Sequence, residues 1–441
     1  MSIKVTPSQP PCFDPDDPRF WDADDLEAEM RRGFEICHGC RMCVTYCPSF
    51  PALFDRIDER HEKLGQPHDA STLDADDMRR VVDLCWQCKV CYVKCPYTPD
   101  DGHAWVLDFP RILWREKAVR ARREGIGLQE RLLGEPEILG RLGSGVAAGM
   151  ANFVSAQRIV RRVGEKVAGI SAEFPLPPFA SETFPRWFSR RPTLSTSETK
   201  GEVVLFSTCL VDYQRAGIGR ATVAVFEHAG LQVLRPEQRC CGMPNLDTGD
   251  LDSLRAKAEF NVASLVEHVR AGRSVVVPGP SCSMTLKKEY PTLLGTDDAR
   301  LVAAHTFDLM EYLWKLWRDE RLPRTFVNAL GRVAYHAPCH LRAQKIAYPA
   351  PLLLGKITDT EVTAIEQCSA VDGTWGMKAE YYELGVKYSK RLIRGVEGVD
   401  PVHVASDCPL ASQRIVKETG RRVRHPVELL AFAYGLKEGS P

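Results

Sequence analysis

From residue 201 onward, short apolar runs alternate with longer amphipathic stretches. EVVLFST (202–208), QVLRP (232–236), SVVVPG (274–279), RVAYHA (332–337), EVTAI (361–365) and PVHVAS (401–406) each read as a strand, because they are short, apolar and bounded by turn residues. The stretches 213–229 and about 250–271 carry helical periodicity. Strands alternating with helices predict a parallel α/β layer. Before residue 201 the pattern differs. Residues 23–36 predict a helix with acids early and arginines late, as the helix dipole favours. Residues 48–84 are largely helical by pattern, with a turn near Gly65-Gln66-Pro67 and a helix at roughly 74–84. A basic helix over 103–123 is expected to break at Pro110. Residues 1–22, rich in Pro and Asp, read as an extended arm. Few strand-like stretches occur in this part.

The pattern therefore predicts an α+β multidomain chain: a helical domain over 1–123, a connector over 124–200, and α/β modules over 201–325 and 326–441. Within the connector, 139–150 is glycine-rich and 171–193 proline-rich, both linker-like. Arg186, Trp187, Arg190 and Arg191 there form either a basic-aromatic patch or, the favoured reading, part of a strap packed on the next domain.

Charge and composition narrow the class. The 441 residues carry 58 basic and 58 acidic side chains, so no global nucleic-acid footprint exists. The N-terminal MSIKVTPSQPP has no apolar signal core. No stretch approaches the roughly 18 apolar residues of a membrane span. The nearest, Val146 to Ala156, is short and small-residue-rich, so any membrane contact is expected to be peripheral or through a partner. Sixteen cysteines on a long chain without a signal peptide fit metal-bound thiolates in a cytoplasmic setting, with any membrane association at its inner face.

The cysteines are ordered. CHGCRMCVTYCP and CWQCKVCYVKCP place Cys37, Cys40, Cys43, Cys47 and Cys85, Cys88, Cys91, Cys95 in two C-x2-C-x2-C-x3-C-P runs. That spacing lets one loop set three thiolates around an iron–sulfur cube; in two-cluster ferredoxins the fourth cysteine ligates the other cluster. The expected pairing joins Cys37, Cys40 and Cys43 with Cys95, and Cys85, Cys88 and Cys91 with Cys47, around two [4Fe–4S] clusters. Zinc is the alternative for thiol foursomes. The first domain then reads as a helical ferredoxin. Cys12 has no partner spacing.

In the α/β half, cysteines fall at strand ends: Cys209, Cys240, Cys241 and Cys282, then Cys339, Cys368 and Cys408. From Cys209 to Cys240 is 31 residues and from Cys339 to Cys368 is 29; the next intervals, to Cys282 and Cys408, are 42 and 40. This is an internal duplication found by spacing. Sites in parallel sheets gather beyond the carboxyl ends of strands, so distant thiols can converge there.

These motifs, with STCLVDY, RCCGMPNLDTGD, PGPSCSMTLKKEY, HAPCHLRAQ, EQCSAVDGTWGMK and SDCPLA, resemble the CCG-domain iron–sulfur proteins. That heterodisulfide reductase-related family includes the C subunit of anaerobic glycerol-3-phosphate dehydrogenase and the iron–sulfur subunit of glycolate oxidase. The resemblance covers residues 30–435 and implies a duplicated CCG-type cysteine-rich domain. Position 285, where the fuller pattern carries another cysteine, is Thr285, leaving four cysteines in the first module, enough for one [4Fe–4S] cubane. In the second module Ser369, Ala370 and Ala411 stand where the pattern would continue, leaving three. Those three could hold a cluster with an open iron, take His340, His336 or Asp372 as a fourth ligand, or be a relic.

The resemblance implies an electron-transfer subunit of a cytoplasmic oxidoreductase. Its redox partner would be a flavoprotein dehydrogenase or an iron-containing peroxide reductase. Alternatives are a disulfide or persulfide reductase acting at an open cluster in the CCG half, and a non-catalytic scaffold of a redox complex. The glycine fragments at 217–220 and 164–169 lack a phosphate-binding fingerprint, so no flavin or nicotinamide is expected on this chain.

Overall fold

A computed structural model describes residues 3–192, 199–371 and 373–437. The chain divides into two compact units, Met1–Gly127 with Asn245–Leu251, and Leu128–Pro244 with Asp252–Pro441.

The first unit is helical. Helix α1 (Ala23–Cys40) starts where the Asp22 carboxylate accepts the Asp25 N–H, and ends at Arg41, which is left-handed. It runs four residues beyond the stretch expected from periodicity and so carries Cys37 and Cys40 in its last turn. Helix α2 (Ser49–Leu64) follows the proline of the first run and stops at Gly65 in the left-handed region. Helix α3 (Ala75–Asp83) opens with a reciprocal capping box between Asp74 and Asp77. A short helix α4 (Val90–Lys94) carries Cys91, and α5 (Phe109–Glu124) closes the unit. Pro110, expected to break a helix, instead lies in the first turn of α5, where its missing N–H costs nothing. Phe34, Phe50 and Phe109 form the core between helices, with Phe50 and Phe109 stacked at 4.8 Å. The N-terminal arm contains a 3-10 turn, Pro18–Trp21, and is held by the fully buried Arg115 of α5.

In the second unit, the stretch with linker-like composition is folded. Helices α6 (Leu128–Gly134), α7 (Pro136–Gly143), α8 (Ala148–Ala156), α9 (Arg158–Ala168) and α10 (Phe184–Arg190) occupy it. Gly140 and Gly143 are packing glycines: a Cβ on either would meet the ring of Tyr213 or Phe179. The basic-aromatic residues behave as a strap. Phe184 is buried, Arg220 lies over the Trp187 ring, and Arg191 lies over Phe188 and donates to the Val233 carbonyl.

Among the described residues, two four-stranded parallel sheets follow. The first holds β1 (Gly201–Leu205), β2 (Leu231–Leu234), β3 (Ser274–Val277) and β4 (Thr306–Asp308) in the order β2-β1-β3-β4. The second holds β5 (Gly331–His336), β6 (Thr360–Ile365), β7 (His403–Ser406) and β8 (Val423–Arg424) in the order β6-β5-β7-β8. The same order repeats, as the cysteine intervals do. The edge strands β4 and β8, three and two residues long, are too short to leave an apolar pattern in the sequence. One hydrophobic cluster runs through both modules, including Val203, Leu205 and Val276 of one sheet and Val333 and Tyr335 of the other.

The final helix, Pro426–Ala433, is capped by His425, whose Nδ1 accepts the Val427 N–H at 3.1 Å. Burial pushes the His425 imidazole down to about 3. The folded state therefore resists a proton that the unfolded chain accepts below about 6.5. Stability is present above that value and is lost as pH falls. Between pH 7.5 and 5.5 this one group removes about 1.4 kcal/mol. His425→Asn keeps a capping acceptor and removes the proton site. Thermal unfolding across that range should show a correspondingly flatter pH dependence in the variant; an unchanged slope would mean another group governs it.

Candidate functional site

The first run begins at the end of a helix and turns sharply. Arg41 and Lys89, each one residue after the second cysteine of its run, adopt left-handed φ of 53° and 58°. Such backbone is uncommon for non-glycine residues, and here it lets consecutive thiols face one point. Cys37, Cys40, Cys43 and Cys95 line one cavity of about 30 Å3, together with Ile36, Met42 and Leu107. Burial first, then the charges of Cys43, Cys95 and Cys40, push the Cys37 thiol well up. Cys43 is pushed up to about 12 by burial and by Cys95 and Cys40. The Tyr97 hydroxyl hydrogen-bonds Cys40.

The other four cysteines form a second group. Burial raises Cys47 well up, with Cys85 and Cys88 adding to it; Cys91 is raised by burial and then by Cys88, Cys85 and Cys47. Gln87 donates from its backbone and its Nε2 to Cys85 Sγ at 3.5 and 3.7 Å, and anchors to the Pro110 carbonyl. The fold thus brings the last cysteine of each run to the first three of the other.

The donor set fits a metal group on chemical grounds. Burial first, and then the charge of neighbouring thiols, makes Cys37, Cys43, Cys47 and Cys91 costly to ionise without a cation between them. A cationic iron–sulfur core removes that cost by sharing the charge.

Beside the first run, His38, Asp58 and His68 also converge. The guanidinium of Arg41 takes both oxygens of Asp58, at 2.8 and 2.5 Å, and holds that carboxyl well below the usual range. Asp58 is therefore already taken up by its ion pair with Arg41, and the two histidines hydrogen-bond around it.

In the second unit, Cys209 begins the helix Cys209–Tyr213 after β1, and Cys282 lies in the helix Pro280–Met284 after β3. Cys240 and Cys241 come from the loop after β2. Cys209 Sγ lies 3.9 Å from Cys240 Sγ, and Cys241 Sγ lies 3.2 Å from Cys282 Sγ. The hydrogen bond to Cys240, then burial, pushes Cys209 well up, while the thiols of Cys209 and Cys241 hold Cys240 well below its ordinary value. The backbone of the cysteine pair is clamped. Cys240 N–H donates to Glu137 at 2.7 Å, Tyr290 OH donates to the Cys241 carbonyl at 2.9 Å, and Asn261 Nδ2 reaches the Cys240 carbonyl and Tyr290. Glu137 and Asn261 gave no signal in the sequence, because they act from distant helices. Tyr290 closes the PGPSCSMTLKKEY motif but looks like an ordinary core residue there.

Gly242 has φ of +84°, and a Cβ there would come within 2.5 Å of Leu254 Cδ1. Gly242→Ala combines a left-handed alanine with that clash, so it should lose about 1–3 kcal/mol of unfolding free energy and lower iron retention. Urea unfolding with iron analysis checks this; wild-type values for both would show that the turn tolerates a side chain.

The second module places its cysteines by register. Ile365, His336 and Ser406 are aligned partners at the ends of β6, β5 and β7, and Cys368, Cys339 and Cys408 follow them by three, three and two residues. Topology alone brings the three to one sheet edge. Cys408 caps the helix Pro409–Thr419, its Sγ accepting the Ala411 N–H at 3.5 Å. Cys368 Sγ accepts the Ala370 N–H at 3.2 Å. His336 bonds Ser406 Oγ and His340 bonds Ser281 Oγ; Asp372 lies outside the described residues. Burial lowers His336 to about 4, so it is neutral at physiological pH. An apolar cavity of about 230 Å3 joins the modules, lined by Cys209, Cys240, Cys241, Cys282 and Cys408 with Leu, Pro and Met side chains. Cys12 is buried elsewhere, its Sγ 3.9 Å from the Asp14 carbonyl.

Known proteins match in the same two places. Residues 30–125 match the Fer4-like domain of citrate utilization protein B, and residues 203–287 match the cysteine-rich CCG domain. The chain belongs to the CCG-domain iron–sulfur protein family. It is 29% identical to the C subunit of anaerobic glycerol-3-phosphate dehydrogenase from Escherichia coli (strain K12), over 91% of this chain and 98% of that one. It is 32% identical to lactate utilization protein A of Bacillus pumilus (strain SAFR-032), over 40% of this chain and 75% of that one. It is 29% identical to the B subunit of fumarate reductase (CoM/CoB) from Methanothermobacter marburgensis, over 52% of this chain and 46% of that one. Among the described residues, no helix is long and apolar enough to cross a membrane.

Proposed function

We propose that this chain is an iron–sulfur electron-transfer subunit, relaying single electrons between a flavoprotein dehydrogenase, or an iron-containing peroxide reductase, and an acceptor. The observation that carries it is the gathering of the eight ferredoxin-run cysteines into two foursomes. Cys37, Cys40, Cys43 and Cys95 would hold one [4Fe–4S] cluster, and Cys85, Cys88, Cys91 and Cys47 another. Cys209, Cys240, Cys241 and Cys282 would hold a third. When bound, such clusters supply reversible one-electron chemistry without moving heavy atoms. The protein's own part is to exclude water and set the field. Burial of Cys47 and Cys85 keeps solvent away, while Gln87 and Tyr97 give hydrogen bonds to Cys85 and Cys40, which favour the reduced, more negative state. Two of the relatives' names support a subunit role, since they are the C subunit of a dehydrogenase and the B subunit of a fumarate reductase.

The anaerobically purified chain should accept electrons from a reduced flavoprotein in stopped-flow mixing, and should not oxidise glycerol phosphate or a 2-hydroxy acid unaided. Unaided turnover of either substrate would sink the reading.

One observation favours a second role for the CCG half: Cys408 lines the same apolar cavity as the first module's four cysteines. Reduction of a disulfide or persulfide there would need Cys339, Cys368 and Cys408 together. Cys368→Ala would then abolish thiol–disulfide turnover and leave the ferredoxin foursomes loaded. Unchanged turnover would remove this role, and full partner activity in a folded triple-alanine variant of those cysteines would leave the module as a scaffold.

A further inference from the structure

Helix α9 is amphipathic the wrong way round for a soluble domain. At roughly 100° per residue, Ile159, Val160, Val163 and Val167 share one face, an arc of about 100°. That face points to solvent, with Ile159 78% and Val167 68% exposed, and α9 buries none of its residues. Its inward side is polar instead. Arg161 donates to the carbonyls of Ser171 at 2.6 Å, Ala172 at 3.3 Å and Phe174 at 2.5 Å, and Glu165 accepts the Ala172 N–H at 2.6 Å. The helix is therefore docked by its polar side, and its apolar side is left over.

The neighbouring helices continue the surface. Leu142 at the end of α7, Val146 in the turn, and Met150 and Phe153 of α8 are all exposed, Val146 at 98%. Of the nineteen large apolar residues exposed among the described residues, thirteen lie between Leu128 and Leu176. A surface this concentrated marks an interaction site.

Charge says what kind. Arg158, Arg162 and Lys166 recur every fourth residue and form a row along one border of the apolar arc. Residues 136–168, from the start of α7 to the end of α9, carry five cations and two carboxylates, in a chain whose formal net charge is zero. A cleft of about 510 Å3 opens at this border, lined by Arg158, Arg161, Arg162 and Lys417, with Glu173 the only acid among the described residues that line it. Apart from Met150 and Phe153 the exposed apolar residues of α7 to α9 are aliphatic, whereas the cores of protein interfaces are enriched in aromatics and Met.

We propose that α7 to α9 dock on the surface of an anionic lipid bilayer. The apolar arc of α9 enters the acyl boundary, and the row of cations and the cleft meet lipid phosphates. With eleven residues α9 lies in the interface and cannot span the membrane. The inference concerns where the chain sits and stands independently of the electron-transfer reading, because its test reads vesicle binding and no redox activity.

The full chain with its metal content intact should co-sediment with vesicles of phosphatidylcholine mixed with phosphatidylglycerol, and remain in solution with phosphatidylcholine alone. Arg158→Gln, Arg162→Gln and Lys166→Gln together should weaken binding about a hundredfold, since each near-surface cation contributes roughly fivefold. Ile159→Lys with Val163→Lys should also lose binding although it adds positive charge, which separates insertion from simple attraction. Val163→Trp should bind and shift its added emission to the blue on mixed vesicles. Far-UV circular dichroism and iron content confirm that each variant folds. Wild-type protein that stays in the supernatant with mixed vesicles overturns the proposal, as does a double-lysine variant that binds like wild type. A wild-type dimer that Ile159→Lys dissociates, with no vesicle binding, would assign the face to a second copy instead.

Discussion

Replacing Cys47 and Cys91 together should remove no more iron than replacing either alone, about four atoms per chain. Replacing Cys43 and Cys47 together should remove about eight. The reason is the crossed arrangement. Cys47 feels the charges of Cys85 and Cys88 from the other run and acts in turn on Cys91, whereas Cys43, four residues from Cys47 in sequence, feels those of Cys95 and Cys40. Serine is the suitable replacement, because it preserves volume while offering a hard, weakly bound oxygen to a soft iron site. Iron and acid-labile sulfide after anaerobic purification, with EPR of the reduced protein, give the count. Loss of about four iron from Cys43→Ser/Cys47→Ser and about eight from Cys47→Ser/Cys91→Ser would mean that each run fills its own cluster. Zinc in place of iron and sulfide would reject the cluster assignment altogether.

The second large effect concerns stability of the first unit. Arg115→Ala should cost about 3 kcal/mol, the lower end for removing one partner of a buried ion pair. Arg115 is fully buried in α5 and ties three carbonyls of the arm and one carboxylate of α1: Nε donates to the Phe20 carbonyl at 2.7 Å, Nη1 to Asp25 at 2.7 Å, and Nη2 to the carbonyls of Arg19 and Asp22 at 2.5 and 3.4 Å. Without it, those carbonyls and the Asp25 carboxylate lose their donor. Asp25 keeps partial contact with water, which limits the loss. Arg115→Lys should recover little, since one ammonium cannot span the same fork. Denaturant unfolding monitored by Trp21 and Trp114 emission would report it. A loss below about 1 kcal/mol would show that the arm is held elsewhere.

What could be read from the chain divides along physical lines. The strands of the α/β half were legible because a buried parallel strand leaves a continuous apolar run: β1, β2, β3, β5, β6 and β7 fall within two residues of the stretches 202–208 to 401–406 at their starts. The short edge strands β4 and β8 left no such run. Helix α5 was legible in composition but not in its start, because Pro110 is compatible with both a break and a first turn. The stretch 139–150 misled by composition. Two of its glycines, Gly140 and Gly143, are where Tyr213 and Phe179 approach α7, a contact with residues far along the chain.

By itself, the sequence determined the chemistry available: two cysteine runs of ferredoxin spacing, and a duplicated set of cysteines placed at strand ends, because local spacing and strand periodicity are properties of neighbouring residues. Only the tertiary structure decided which thiols face one another, that Glu137, Asn261 and Tyr290 clamp the Cys240–Cys241 backbone, and that α9 turns its valines outward. Each of those depends on packing between segments distant in the chain, and no local pattern records which side of a helix its neighbours will cover.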